Sequence, residues 1–190
     1  MIKRRRAIVG ICGLAGAGKS TAARYLAREK GFARRPFAYP LKAMIAALGV
    51  SAELLDSPRD AKEQPLDMFG GKSLRTALQT LGTEWGRVHF GDDFWINQWC
   101  RGIESLGDVV VDDVRFPNEA AIVRKLGGAI IKLERTGSGA SVGAGHASEA
   151  VHLLRADATI QNNGSESDLF AMLDAMMIPQ EKEGRMTALR

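Results

Sequence analysis

Residues 13–21 read Gly13-Leu14-Ala15-Gly16-Ala17-Gly18-Lys19-Ser20-Thr21. The spacing is G-x-x-x-x-G-K-S, a loop whose glycines let successive backbone N–H groups turn inward around phosphate oxygens. Before it runs Arg6-Ala7-Ile8-Val9-Gly10-Ile11-Cys12, an apolar stretch suited to a buried parallel strand. After it, residues 20–30 have strong helical character, with cations in the last turn and a stop at Gly31. Strand, loop and helix stand in the order a phosphate loop requires. The helix adds the positive end of its dipole, so Gly13, Gly16, Ala17, Gly18, Lys19, Ser20 and Thr21 are the expected nucleotide contacts. Lys19 is expected on the β- and γ-phosphates and Ser20 on Mg²⁺.

Outward from the loop, strand and helix signals alternate, which predicts a parallel sheet covered on both faces. Phe37-Ala38-Tyr39 is expected to end a short second strand, and Pro40 to open a helix stopped by Gly49. Residues 50–71 read as irregular. A helix over 74–88 should turn Leu74, Leu78, Leu81, Trp85 and Val88 inward. A helix capped by Asp92 or Asp93 should bury Ile96, Trp99, Ile103 and Leu106. Strands follow at 109–111, 129–133 and 158–160. Helices follow at 118–126 and from Ser165 to about Met177. The tail from Pro179 reads as polar and loose.

At 190 residues a single domain is expected, with 45% apolar and 25% charged residues. Two cysteines, Cys12 and Cys100, make neither a disulfide framework nor a metal spacing, and no apolar run reaches membrane-spanning length. A cytoplasmic protein without membrane contact is the expectation. The net charge of +4 is local. Without Lys3, Arg4, Arg5 and Arg6, 22 cations face 22 anions, so stable nucleic-acid binding is not expected.

Three further constellations carry chemistry. Val109-Val110-Val111 runs into Asp112-Asp113-Val114-Arg115, an apolar strand ending in carboxylates as phosphoryl-transfer folds use near Mg²⁺. On residues alone Asp112 and Asp113 are equally placed. In the helix from 74, Gly82 and Gly86 cost roughly 1 kcal/mol each relative to alanine, which calls for close packing or a ligand against the backbone. Arg75 and Gln79 beside them offer a phosphate fork and a base-reading amide. Arg135 precedes a stretch of Gly, Ser and Ala to Gly145 that reads either as a lid, about 135–147, or as a surface loop.

With these residues in hand, the chain resembles the phage-type deoxynucleoside monophosphate kinases, within the P-loop kinases that also act on dephospho-coenzyme A. The likeness runs through Phe37-Ala38-x-Pro40-Leu41-Lys42 and Arg75-x3-Gln79-x-Leu81-Gly82-Thr83-Glu84-x2-Arg87. It continues in Asp93-x-Trp95, Asp113-Val114-Arg115-Phe116-Pro117-Asn118-Glu119, His146-x-Ser148-Glu149 and Ile160-x-Asn162-Asn163-Gly164-Ser165. The resemblance implies a P-loop kinase fold: a five-stranded parallel sheet flanked by helices, a helical acceptor region at about 37–106, and the lid. It implies ATP- and Mg²⁺-dependent phosphorylation of a deoxynucleoside 5′-monophosphate, with small-molecule nucleotides as partners. It favours Asp113 over Asp112 as the Mg²⁺ carboxylate beside Ser20. Lys19, Asp113, Arg115 and Arg135 become the catalytic set, and Asn162 and Gly164 neighbours of the ATP base. Lys42, Arg75, Gln79, Glu84, Arg87, Trp95 and Arg155 become acceptor contacts. Where relatives often carry an acid between Ala38 and Pro40, this chain has Tyr39, and 34–52 contain cations but no carboxylate. An alcohol acceptor such as dephospho-coenzyme A benefits from a base there, whereas a phosphate acceptor does not. The remaining alternative, a nucleotide-binding switch or ATPase, would carry a broader basic surface.

Overall fold

A computed structural model describes residues 6–139 and 154–177. The chain divides into two compact units, Met1–Pro36 with Ser105–Arg190, and Phe37–Glu104.

The first unit is built on five parallel strands: β1 Ile8–Cys12, β2 Ala33–Arg34, β3 Val109–Val111, β4 Ala129–Glu134 and β5 Ala158–Gln161. Their order is β2-β3-β1-β4-β5. Every residue of β1 and β3 is buried, as apolar runs covered on both faces must be. Helices α1 Lys19–Lys30, α8 Pro117–Lys125 and α9 Glu166–Met177 belong to this unit. Ile11, Leu26, Leu133, Ile160 and Leu173 meet in its core. The chain fills one side of β1 with β2 and β3, then crosses to the other with β4 and β5. The direction of strand addition therefore reverses at β1, where open parallel sheets bind ligands beyond their carboxyl ends.

The expected second strand is misplaced. It lies at Ala33–Arg34, not at 37–39. Arg35 still donates to the Val110 carbonyl, but Pro36 has no N–H to continue the ladder. The other four strands lie within a residue or two of expectation. Ser165 caps α9 as expected: its hydroxyl accepts from the Asp168 N–H, and Asp168 accepts in return from the Ser165 N–H.

The second unit holds α2 Tyr39–Ala47, α3 Ala52–Asp56, α4 Arg59–Lys62, α5 Leu74–Gln79, α6 Val88–Phe90 and α7 Phe94–Gly102. Residues 50–71, expected to be irregular, contain α3, α4 and a 3₁₀ turn at Asp67–Phe69. Ser51 starts α3 by accepting from the Leu54 N–H, and Leu55 buries beside Ile45 and Leu74.

The expected helix over 74–88 is continuous but not uniform. Between α5 and α6, Thr80–Arg87 coil as a π-helix. Its wider turn slips the apolar stripe out of phase with the 3.6-residue period. Leu74 stays buried, Leu78 and Leu81 are half-buried, and the expected inward residues Trp85 and Val88 are exposed, Val88 at 71%. Trp95, off the expected stripe of α7, is buried instead. Gly82 and Gly86 explain this: the Trp95 indole lies on Gly86, and its Nε1 donates to the Gly82 carbonyl at 2.7 Å. Leu106, also expected inward, is half-buried.

Candidate functional site

Gly13, Gly16 and Gly18 have φ of 144°, 82° and 97°, backbone that L side chains rarely adopt. Two of them are also hemmed in. A Cβ on Gly13 would meet the Leu133 carbonyl, and one on Gly18 would meet the Asn162 amide. α1 begins directly at Lys19 with no acidic side chain in its first turn, so its N-terminal dipole is left for an external anion. Ala17 is buried, Ser20 exposed and Thr21 half-buried at this helix start.

Lys19 folds back over the loop, donating from Nζ to the Gly13 and Leu14 carbonyls at 2.8 and 2.7 Å. Burial pushes its pKa down to about 8, helped by the positive charge of Arg115. Asp112, Cys12 and Asp113 pull the other way. The lysine of the loop thus shares a field with a cation and two carboxylates at the end of β3.

Those two carboxylates are not equivalent. Asp112 is buried and accepts on Oδ2 from Arg34 of β2, at 2.7 Å from Nη2 and 3.0 Å from Nε. Its Oδ1 is buried without a hydrogen-bond partner among the described residues. Asp113 is half-buried. Arg115 is exposed, but its backbone is fixed: Oε2 of the buried Glu119 accepts from the Arg115 and Phe116 N–H groups at 2.8 and 3.0 Å.

Beyond β4, Arg135 is exposed and opens a turn closed by the Ser138 N–H on its carbonyl. The described part of the expected lid, 135–139, comes back to the glycine loop, with Gly139 donating to the Ala15 carbonyl at 3.0 Å. The rest of that segment, and His146, Ser148 and Glu149, lie outside the described residues, as does the tail expected from Pro179. Beyond β5, Asn162 is buried under the glycine loop and Gly164 lies against the Asp168 carboxylate. Arg155 exposes its side chain while its carbonyl accepts from Arg124.

The expected acceptor residues of the second unit form their own set. Lys42 pairs with Asp56 at 2.9 Å, and Arg75 lies 3.7 Å from Glu63. Glu84 accepts from Thr80 at 3.5 Å, Arg87 donates to the Asp92 carbonyl at 2.9 Å, and Gln79 is half-buried. Trp95 is packed and its N–H is used, so its place is the interior of this unit.

Sequence reasoning gave no individual role to Arg34, Glu119 or Asn163. Arg34 was legible only as a cation near the second strand, because its partner lies 78 residues away. Glu119 stands at N3 of α8, where an acid closing back on preceding amides is a readable start signal.

Among the described residues no group of three His, Cys, Asp or Glu is arranged to hold a metal, and no helix is long and apolar enough to cross a membrane.

The model of the deoxynucleotide monophosphate kinase family matches residues 50–173. The putative deoxynucleotide monophosphate kinase of Acanthamoeba polyphaga mimivirus is 34% identical over 144 residues, which is 68% of this chain and 75% of that protein. Two structures of the Mycobacterium tuberculosis APS kinase CysC also align. A cysteine-to-alanine mutant has a TM-score of 0.41 at 16% identity, covering 91% of this chain and 97% of that one. The complex with AMPPNP and APS has a TM-score of 0.42 at 14% identity, covering 91% and 98%.

Proposed function

Because the chain belongs to the deoxynucleotide monophosphate kinase family and is therefore a kinase, we propose that it moves the γ-phosphoryl group of ATP to the 5′-phosphate of a deoxynucleoside monophosphate, with Mg²⁺. One observation carries the phosphoryl-transfer half of this reading. A glycine loop, a helix start without acids, Lys19 and Arg115 gather at the carboxyl end of β1 with two carboxylates in their field. The acceptor half rests on family membership.

The residues present suit Mg²⁺. That ion keeps much of its water and needs only one or two protein ligands beside the phosphates. Ser20 and Asp113 would hold it, next to the buried Asp112, whose Oδ1 has no hydrogen-bond partner among the described residues. Mg²⁺ would supply positive charge that offsets the charge of the nucleotide phosphates.

The chain's own work is positioning and charge. The loop amides and Lys19 hold the β- and γ-phosphates, and Lys19, Arg115 and Arg135 offset charge spreading over the transferred group. Glu119 keeps the Arg115 backbone in place for that task. Lys42, Arg75, Gln79, Glu84, Arg87 and Arg155 are the proposed acceptor contacts, with Trp95 supporting them from within its unit. The acceptor phosphate is already anionic near neutral pH, so no general base is assigned. The protein is expected in the cytoplasm, with nucleotides rather than nucleic acid as partners.

The test is a coupled ADP-release assay over the common ribo- and deoxynucleoside monophosphates and dephospho-coenzyme A. Deoxynucleoside monophosphates should drive ADP release, and Lys19→Ala should lower it by on the order of 10²–10³ while melting cooperatively. Turnover with dephospho-coenzyme A alone, or hydrolysis stimulated by DNA without any acceptor, would overturn the proposal.

A further inference from the structure

The order β1-β4-β5 sets the segments that follow these strands side by side, and they are bonded into a ring. Asn162 follows β5 directly, and its N–H donates to the Glu134 carbonyl at 2.7 Å, which fixes the root of its side chain. The residue is 3% exposed, and its Nδ2 donates to the Ala17 carbonyl at 3.0 Å. The next residue, Asn163, accepts on Oδ1 from the Thr136 N–H at 2.8 Å, holding the start of the 135–139 turn. The far end of the turn closes the ring, with the Gly139 N–H on the Ala15 carbonyl.

A planar trans peptide points its C=O and the following N–H in opposite directions. Whatever holds the carbonyl of Ala17 therefore aims the N–H of Gly18. Whatever holds the carbonyl of Ala15 aims the N–H of Gly16. Lys19 takes the carbonyls of Gly13 and Leu14. The Ala22 N–H takes that of Gly18. With these carbonyls engaged, and the Ala17 N–H itself donating to the Leu14 carbonyl, the Gly16 and Gly18 amides are the ones whose aim toward an anion these contacts set. A carbonyl rotated toward phosphate would repel it.

We propose that Asn162 and Asn163 are positioning residues for the nucleotide phosphates: Asn162 aims the Gly18 amide directly, and Asn163 aims the Gly16 amide through the 135–139 turn. The proposal rests on the kinase reading above and gives Asn162 a role exerted through the loop rather than on the ATP base. It also supplies a second reason for glycine at 18. Besides the left-handed φ, there is no room for a Cβ above the Asn162 amide.

The experiment uses the full chain with Asn162→Ala, Asn162→Asp and Asn163→Ala. Amide hydrogen exchange at Gly16 and Gly18 in the nucleotide-free protein reads loop aiming without reference to activity. Calorimetric ATP titration and steady-state kinetics complete it, at a temperature well below every melting transition. Asn162→Ala should speed Gly18 exchange and weaken ATP about tenfold, with the KM for the monophosphate within about twofold. Asn162→Asp should be at least as damaging, since a carboxylate cannot donate to Ala17 and repels phosphate. Asn163→Ala, at an exposed side chain, should weaken ATP about threefold and speed exchange at Gly16. It also decides the matter if the buried variants do not fold. Wild-type exchange and wild-type ATP affinity in Asn163→Ala and in whichever Asn162 variants fold would overturn the proposal, as would equal KM increases for both substrates. A wild-type protein that binds no ATP would overturn the kinase reading itself, and the proposal with it.

Discussion

Asp112→Asn and Asp113→Asn should fail in different ways. Asp112 carries a forked contact from Arg34 on a single oxygen, and its side chain is 4% exposed. Removing one partner of a fully buried pair costs about 3–5 kcal/mol, because the other charge is stranded. Arg34 is not fully buried, however. At 25% exposure its guanidinium can recover part of its hydration, which brings the expected loss to about 2–3 kcal/mol. A chain of this size loses about 2–4 °C per kcal/mol, so Asp112→Asn should melt roughly 5–10 °C below wild type. Most domains keep about 5–15 kcal/mol, so the variant should still fold. Asp113 is half-buried, and its amide variant should melt within about 3 °C of wild type. Its turnover at saturating Mg²⁺ should nevertheless fall on the order of a hundredfold, if it holds the ion. Scanning calorimetry and initial rates on both variants make the comparison. Adding Arg34→Ala with and without Asp112→Asn completes a double-mutant cycle for the pair. An Asp112→Asn protein melting within 2 °C of wild type would refute the stability reasoning. An Asp113→Asn protein with near-normal turnover would refute the assignment of Mg²⁺ to Asp113.

In the second unit, Gly86→Ala should destabilise by about 1–2 kcal/mol: its Cβ would fall 2.6 and 2.7 Å from two carbons of the rigid, buried Trp95 ring, which outweighs the helical gain of about 1 kcal/mol. Gly82→Ala meets only a Leu41 methyl at 3.1 Å and should leave the melting temperature unchanged or raise it; equal losses at both positions would refute the packing account. Arg75→Ala should raise the KM for the monophosphate on the order of tenfold or more while sparing that for ATP, and equal effects on both would remove Arg75 from the acceptor site. Asp174 accepts from the Tyr25 hydroxyl and pairs with Lys30, and that hydroxyl chiefly holds its carboxyl below the usual range. A depressed carboxylate stabilises above its unfolded pKa and loses that contribution as pH falls through its folded value. The melting gap between wild type and Asp174→Asn should therefore be open at pH 7 and close below about pH 4, whereas a gap constant down to pH 3 would contradict the linkage.

What could be read from the sequence was local. β1, the phosphate loop and α1 are adjacent in the chain, and their glycine and helix signals depend on neighbours only. β3, β4 and β5 are short apolar runs with turn residues on both sides. The second strand ends before 37–39 because one proline, Pro36, outweighs the apolar character of those residues. Residues 50–71 read as irregular because helices of four and five residues are too short to show a period. Over 74–88 the period itself changed, and no single-period reading can follow a π-turn. The cost of Gly82 and Gly86 reads as a demand for close packing or for a ligand against the backbone, and the structure answers with packing, tightest at Gly86. Only the fold names the approaching group, an indole from the following helix. The carboxylates of β3 were visible as a pair, yet their difference depends on Arg34, which the sheet order brings beside β3.

The same division separates the parts of the proposed phosphate site. Glycine makes the loop's conformation possible, but it does not select it, since glycine adopts many others as readily. On the proposal above, selection comes from groups far away in sequence: Asn162 stands 145 residues from Ala17, and Gly139 reaches Ala15 from the end of the neighbouring strand β4. Lys19 adds a second kind of selection. It is held where burial and Arg115 make its charge costly, against the partial relief of Asp112 and Asp113. An arriving anion reverses that balance, because it favours the charged lysine and the neighbouring arginine together. A neutral ligand of the same shape would leave the lysine's burial uncompensated. On the proposed reading the local motif provides donors and the tertiary contacts aim them, so affinity for phosphate would belong to the sheet's topology as much as to the nine residues of the loop.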